Sequence, residues 1–314
     1  MLVITLGDPF SINVSAVDEL IKELESPSFP VVVVGSYDIF KAQTRTQRKF
    51  HMINDWSEAK NSWNFLDLKI KLASTDPLSM SVKERGEIAT KALYHLKTLD
   101  SDGKLAVLTC PIDKEACSQA GYKYPGQTEF FTDLWQGESI MILAGPKLRV
   151  GLATNHLALK DVPKALNQDL VKNKIDLLRS SLAKILGLNS PKIGVCALNP
   201  HASDKGLFGD EEEKILEPVI SSFEDDIKGP FPADTLFHFA YTGHYDGVLA
   251  MYHDQGLGPL KTVHFYDAVN ITGGLKHLRV SPDHGPASDL YGTNRANYQS
   301  FKEAFKICIS YIEQ

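Results

Sequence analysis

The chain has 314 residues, 43% hydrophobic and 23% charged, which is the usage of a globular protein with one large or two ordinary domains and ample buried core. Its formal net charge of -6 argues against a nucleic-acid surface, which would show a basic stripe. No run approaches the ~18 apolar residues that a membrane span needs, and MLVITLGDPF lacks the basic and long apolar regions of a secretory signal.

In chain order, LVITLG (2–7), FPVVVVGS (29–36) and KLAVLTCP (104–111) are predicted strands, each stopped by Gly or Pro. Between them, VSAVDELIKELE (14–25) and VKERGEIATKALYHLKTL (82–99) have helical period, while 37–63 is polar and irregular and gives no prediction. The run 138–156 reads as a hairpin turned at Gly145-Pro146, followed by a helix over about 161–187, a strand over 192–201 and a helix from Asp210. Strands over 246–253 and 268–272 and a last helix over 300–314 complete the pattern. Such alternation implies an α/β fold with a mostly parallel or mixed sheet, and the hairpin suggests a second sheet region. The four cysteines, Cys110, Cys117, Cys196 and Cys308, have no metal or redox spacing and read as reduced thiols of a cytoplasmic protein.

In LAMYHDQGLGPLK (249–261), His253 and Asp254 follow an apolar run, and Gly256, Gly258 and Pro259 read as loop chemistry. His156 ends VGLATNH and His201 ends IGVCALNPH in the same way. Ligands of α/β folds collect beyond the carboxyl ends of strands. Three imidazoles on one rim would bind a divalent metal, with zinc, cobalt, nickel or iron suited better than magnesium. Asp234, in the Pro-rich GPFPADTLF, would offer an acidic ligand. A histidine that only hydrogen-bonds structurally fits each position as well, and wide spacing does not separate the two readings. The glycines and small residues of SPDHGPASDLYGTNRAN (281–297) allow a loop that lies close to a flat ring or phosphate, or a plain surface loop.

Taken together and in order, GDP (7–9), CPIDKEACSQAGYKYPGQTEFF (110–131), LATNHLALKDVP (152–163), LNPHASDKGLFGDEE (198–212), GPFPADTLF, YDGVLAMYHDQGL (245–257), AVNITGGLKHLRVSPDHG and ASDLYGT resemble the 4-hydroxythreonine-4-phosphate dehydrogenase family of vitamin B6 biosynthesis. The resemblance implies an isopropylmalate dehydrogenase-like fold of two α/β domains with a cleft between them, placed here at 1–125 plus 257–314 and at 126–256. It implies a homodimer with shared active sites. A divalent metal (zinc, cobalt or magnesium) falls to His156, His201 and His253, with Asp234 beside them. Substrate-binding positions fall on Gln127, Thr128, Lys261, Asn270 and Arg279; cations suit a phosphate and a carboxylate. The DHGPASDLYG loop resembles the adenosine-holding loop of the wider isocitrate and isopropylmalate dehydrogenase fold. It implies NAD or NADP at His284, Gly285 and Asp289, without a G-x-G-x-x-G fingerprint.

The implied reaction is oxidation of 4-phosphooxy-L-threonine to 3-amino-2-oxopropyl phosphate with loss of CO2, with Asp234 and Lys114 as candidate proton acceptors. The alternatives are the same chemistry on threonate or erythronate 4-phosphate, or a non-catalytic homologue that binds phosphate ligands. Three departures stand out: Gln127 replaces the family's His, GDPFSINVS replaces GDPAGIGPE, and Cys110 replaces a Gly.

Overall fold

The computed structural model describes residues 1–223 and 226–314. In chain order the elements are β1 (Leu2–Thr5), α1 (Asn13–Glu23), β2 (Val31–Gly35), α2 (Tyr37–Gln43), β3 (His51–Ile53), β4 (Trp63–Asp67), α3 (Val82–His95), β5 (Ala106–Thr109), α4 (Lys114–Gln119) and α5 (Gln127–Leu134). Then come β6 (Ile140–Ala144), β7 (Arg149–Leu152), α6 (Val162–Ala165), α7 (Gln168–Leu186), β8 (Ile193–Cys196), a π-helical turn at Glu212–Leu216, α8 (Glu217–Ile220) and β9 (Ile227–Phe231). The chain closes with α9 (Ala233–Tyr241), β10 (Gly247–Ala250), α10 (His253–Val263), β11 (Val269–Gly273), β12 (Leu278–Pro282) and α11 (Gln299–Glu313).

The chain forms two compact units, residues 1–136 with 277–314 and residues 137–276, both of α/β type. In the first, neighbouring strands run β3-β4-β2-β1-β5-β12, and every pair is parallel. Parallel strands buried on both faces read as unbroken apolar runs, and Val31 to Val34 are wholly inaccessible. In the second unit the order is β11-β6-β7-β10-β8-β9; β11, β6 and β7 pair antiparallel, and the rest are parallel. The expected hairpin is thus β6–β7. Leu143, Val150, Leu152, Val248 and Ala250 of the sheet pack with Leu236, Phe237 and Leu260 of α9 and α10 in one core.

The unit boundaries differ from the expected 125/126 and 256/257 for reasons of packing. Helix α5 puts Phe130 against Tyr94 and Tyr122 and so stays with the first unit. Helix α10 packs on β7 and β10, and β11 pairs with β6, which keeps 257–276 in the second. The helix expected over 161–187 is broken at Asn167, whose side chain accepts from Leu170 N and starts α7 afresh.

The largest correction concerns 253–263, expected to open in a loop. It is helical throughout, with Pro259 inside it. Gly256 serves close packing: a Cβ there would lie 2.8 Å from Val150 Cγ1 and 3.0 Å from Ala250 Cβ and Leu152 Cδ2. Gly256→Ala is therefore expected to destabilise the protein by about 1 kcal/mol. An overpacking cost of ~1–3 kcal/mol outweighs the ~1 kcal/mol that alanine gains over glycine in a helix. A urea midpoint at or above that of the unsubstituted protein would show that the helix has room.

No helix among the described residues is long and apolar enough to cross a membrane. The four cysteines are free and buried, and burial raises their thiols, Cys117 to about 12.

Candidate active site

Three parallel neighbours, β7, β10 and β8, end at one edge of the second unit, and each leads to one of the sequence-predicted histidines. Past the formal strand ends, β7 and β10 stay zipped together. Ala153 N donates to Ala250 O, and Thr154 N and Oγ1 both donate to Met251 O. This brings His156 and His253 side by side, with ring centroids 5.9 Å apart. On the other flank Gln255 ties β10 to β8: its Oε1 accepts from Met251 N at 2.7 Å and its Nε2 donates to Ala197 O at 2.7 Å. Gln255 escaped the sequence reading because its partners are backbone atoms of strand ends, which no side-chain motif records.

His253 is the first residue of α10 and half-buried; Asp254 Oδ1 lies 2.7 Å from its Nδ1. A carboxylate only accepts, so Nδ1 is the donor in that contact and Nε2 is the nitrogen a metal would use, the arrangement of a metal-binding imidazole backed by a carboxylate. His156 is exposed, and two adjacent imidazoles fit a divalent ion as donors. Neither His201 nor Asp234 completes the set within this chain. Among the described residues, no group of three or more His, Cys, Asp or Glu side chains is placed to hold a metal. His201 is carried on a loop of left-handed backbone, exposed, with its ring 6.4 Å from that of Phe208. Asp234 is exposed in the first turn of α9, and Lys114, the other candidate proton acceptor, is exposed at the start of α4.

Of the expected substrate anchors, two lie in the second unit. Lys261, on α10, holds its ammonium 5.8 Å from the Phe265 ring centroid. Asn270, on β11, has a buried Oδ1 with no hydrogen-bond partner among the described residues, an acceptor suited to an N–H or O–H of a ligand.

The first unit holds Gln127, Thr128 and Arg279. Arg279 on β12 is 3% exposed. Its Nε and Nη2 donate to Thr109 Oγ1 at 3.1 and 2.8 Å, and its guanidinium lies 5.8 Å from the Phe131 ring centroid. Burial pulls the group down to about 10, which leaves it charged at neutral pH. Gln127, at the start of α5, is engaged at both ends of its amide: Oε1 accepts from Arg279 Nη2 at 3.4 Å and Nε2 donates to Cys110 O at 3.2 Å. A neutral amide oxygen supports the guanidinium where a protonated histidine would repel it. Thr128 is half-buried one residue on.

The segment that departs from the family, FSINVS, holds the expected cofactor loop. Ile12 N donates to Pro286 O at 3.2 Å, Ser288 Oγ donates to Phe10 O at 2.7 Å, and the Phe10 and Tyr291 rings meet edge-on at 5.2 Å. His284 is half-buried, while Gly285 and Asp289 are exposed. A Cβ at Gly285 or Gly292 would meet nothing, so the backbone here lies open to a ligand. Those open glycines fit a flat nucleotide approaching the loop.

A family model described as pyridoxal phosphate biosynthetic protein PdxA matches residues 28–308. The chain belongs to the PdxA family. The 4-hydroxythreonine-4-phosphate dehydrogenase of Geobacter metallireducens is 39% identical, over 96% of this chain and 93% of its own length. The D-threonate 4-phosphate dehydrogenase of Pectobacterium atrosepticum is 33% identical, over 98% of each. The crystal structure of 4-hydroxythreonine-4-phosphate dehydrogenase from Klebsiella pneumoniae is similar with a TM-score of 0.83 at 32% identity, covering 100% of this chain and 98% of that one. Isocitrate dehydrogenase from Methylococcus capsulatus shares the fold, with a TM-score of 0.54 at 12% identity over 99% of this chain and 85% of its own. PdxA relatives being dehydrogenases, the chain is an oxidoreductase.

Proposed function

We propose that this PdxA-family chain oxidises 4-phosphooxy-L-threonine at its 3-hydroxyl with NAD or NADP and releases CO2, giving 3-amino-2-oxopropyl phosphate. The observation that carries the reading is the meeting of His156 and His253 at two neighbouring strand ends, one with its Nδ1 backed by a carboxylate. His156, His201 and His253 would hold the divalent ion, with His201 coming from a second copy of the chain. When bound, the ion supplies Lewis acidity to the oxygen at C3.

The chain's own residues do the rest. Arg279 and Lys261 receive the phosphate and carboxylate as cations, and Thr109 and Gln127 hold the guanidinium while it does so. Thr128 lies beside Gln127, where its hydroxyl can serve the same anion. Asn270 Oδ1 accepts a hydrogen bond from the substrate. The hydroxyl proton passes to Asp234 or Lys114, and the loss of turnover in Asp234→Asn against Lys114→Met separates the two. The hydride leaves C3 for the nicotinamide. The ketone left at C3 is β to the carboxylate, so the C1–C2 bond breaks as CO2 leaves, its electron pair forms the C2–C3 enolate, and a proton taken up at C2 gives 3-amino-2-oxopropyl phosphate. His284, Gly285 and Asp289 would hold the adenosine end of the nucleotide.

Homodimerisation suits the same arrangement. Leu157 and Leu159 follow His156, and Leu207 and Phe208 follow His201; they are 49%, 65%, 70% and 49% exposed, apolar surface that a second copy would cover. A cytoplasmic location accords with four reduced, buried cysteines.

A second reading is threonate or erythronate 4-phosphate as substrate. It is favoured by the D-threonate 4-phosphate dehydrogenase relative at 33% identity and by Gln127 standing where the family has His. Assay of all three phosphates with each nucleotide and added divalent metal decides between them. One CO2 per nucleotide reduced, fastest with 4-phosphooxy-L-threonine, is expected. Faster turnover of threonate 4-phosphate selects the second reading, and no reduction with any of them overturns both.

A further inference from the structure

We propose that Glu212 is a positioning residue: a buried carboxylate that fixes the strained turn carrying His201, and through it the affinity of the site for a divalent metal. The second half of this rests on the proposed role of His201.

After β8 the chain does not simply turn away. Leu198 N and Asn199 N both donate to Glu212 Oε1, each at 2.8 Å, and Asn199 Nδ2 donates to Glu212 Oε2 at 2.9 Å. Asn199 Nδ2 also reaches Glu211 Oε2 at 2.8 Å. Glu212 is 1% exposed, so a carboxylate has been taken out of water and matched with three N–H donors of the strand end and its neighbour. It opens the π-helical turn Glu212–Leu216, a rare backbone form that recurs at functional sites.

What this clamp holds is costly. His201, Ala202, Ser203, Asp204 and Lys205 have φ of 55°, 53°, 67°, 46° and 59°. Five consecutive non-glycine residues of left-handed backbone set each Cβ against the following carbonyl and persist only where surrounding bonds over-determine them. Besides Glu212, Ser203 Oγ donates to Gly209 O and Phe208 N donates to Ser203 O at 3.2 Å. The two ends of the loop, Leu198–Asn199 and Gly209, are thereby pinned, and His201 projects from between them. Without the carboxylate the strand end loses three acceptor contacts at once, and the left-handed run loses the anchor on its N-terminal side.

The test uses the full chain and Co2+ as probe, with hydrogen exchange of the metal-free protein as a readout independent of activity. In Glu212→Ala, protection over 198–209 is expected to fall at least tenfold while that of β7 and β10 is unchanged. Co2+ affinity is expected to weaken at least tenfold, with kcat for the metal-saturated enzyme changing less than the Co2+ concentration needed to reach it. Glu212→Gln keeps the size and an acceptor oxygen for Leu198 N and Asn199 N and gives up only the Asn199 Nδ2 contact, since Glu211 Oε2 holds that amide from turning, so it should fall between the alanine variant and the unsubstituted chain on both readouts. If the alanine variant is not recovered folded, Asn199→Ala removes one of the three donors and carries the same test at smaller amplitude.

Unchanged protection over 198–209 overturns the proposal. So does lost protection with unchanged Co2+ affinity, if His201→Ala does weaken Co2+. If neither His201→Ala nor Glu212→Ala alters Co2+ affinity, His201 is not a ligand, and the role of Glu212 in the site falls with it.

Discussion

Arg279→Lys is expected to lower kcat/KM for the phosphorylated substrate by about two orders of magnitude, with KM for the nucleotide little changed. Two effects add. The guanidinium donates in its plane to one hydroxyl, Thr109 Oγ1, from both Nε and Nη2, and lies near the Phe131 ring. An ammonium cannot keep that geometry and meet an anion with a second planar edge. Losing one charge-assisted hydrogen bond is worth ~1.5–3 kcal/mol, and ~2.7 kcal/mol is a hundredfold. Burial then matters more for lysine than for arginine. The same surroundings pull Arg279 from 12.5 to about 10 and leave it charged. Lysine starts near ~10.4, and an equal pull carries it toward neutrality at the pH of the assay. The variant should regain part of its activity as the pH is lowered, which a purely steric defect would not do. Steady-state nucleotide reduction measures this, and a loss smaller than about fivefold would mean that Arg279 does not meet the substrate.

How much of this could be read in the sequence depended on what the buried residues are. β2 was legible because VVVV has no other sensible place than the middle of a parallel sheet. β4 and β12 were not, because each carries polar residues inside. Asn64 in WNFLD is wholly buried, and its amide serves the carbonyls of Val31, Lys60 and Ser62. Arg279 and Ser281 in LRVSP are 3% and 7% exposed and break the apolar run in the same way. A strand whose interior has been given over to a charged group loses the pattern by which strands are recognised.

Gly256 was read with the wrong sign for a related reason. Glycine marks both a turn and a close approach of helix to sheet, and sequence alone does not separate them. His156 and His253 were legible as a pair because each closes an apolar strand, and parallel strands deliver their ends to one edge. The supporting residues Gln255 and Glu212 bond to backbone atoms of other elements, so their role depends on three-dimensional adjacency that no spacing encodes. His201 shows a further gap: its strand places it on the right edge, but the left-handed run after Pro200 decides where the ring goes.

His253→Ala is expected to weaken divalent-metal binding by at least two orders of magnitude and to abolish turnover at metal concentrations that saturate the unsubstituted enzyme. The imidazole is not replaceable by a neighbour. Among the described residues no third ligand stands with His156 and His253, so the chain's own contribution falls from two donors to one. The effect should be graded along the hydrogen-bond chain. Asp254→Asn keeps the ring but weakens the bond to Nδ1, now 2.7 Å from Asp254 Oδ1, and lets the imidazole sample the other tautomer. A backing carboxylate of this kind is worth ~10–100-fold in affinity, so the Asn variant should lie between the Ala variant and the unsubstituted chain. Chelation should remove activity from the unsubstituted enzyme, and Zn2+ or Co2+ should restore it. Titration of the metal-free proteins with Co2+ gives the three affinities directly. Equal Co2+ affinity for His253→Ala and the unsubstituted chain would sink the imidazole site, whatever the variant's activity, because one of three proposed ligands cannot be removed without cost.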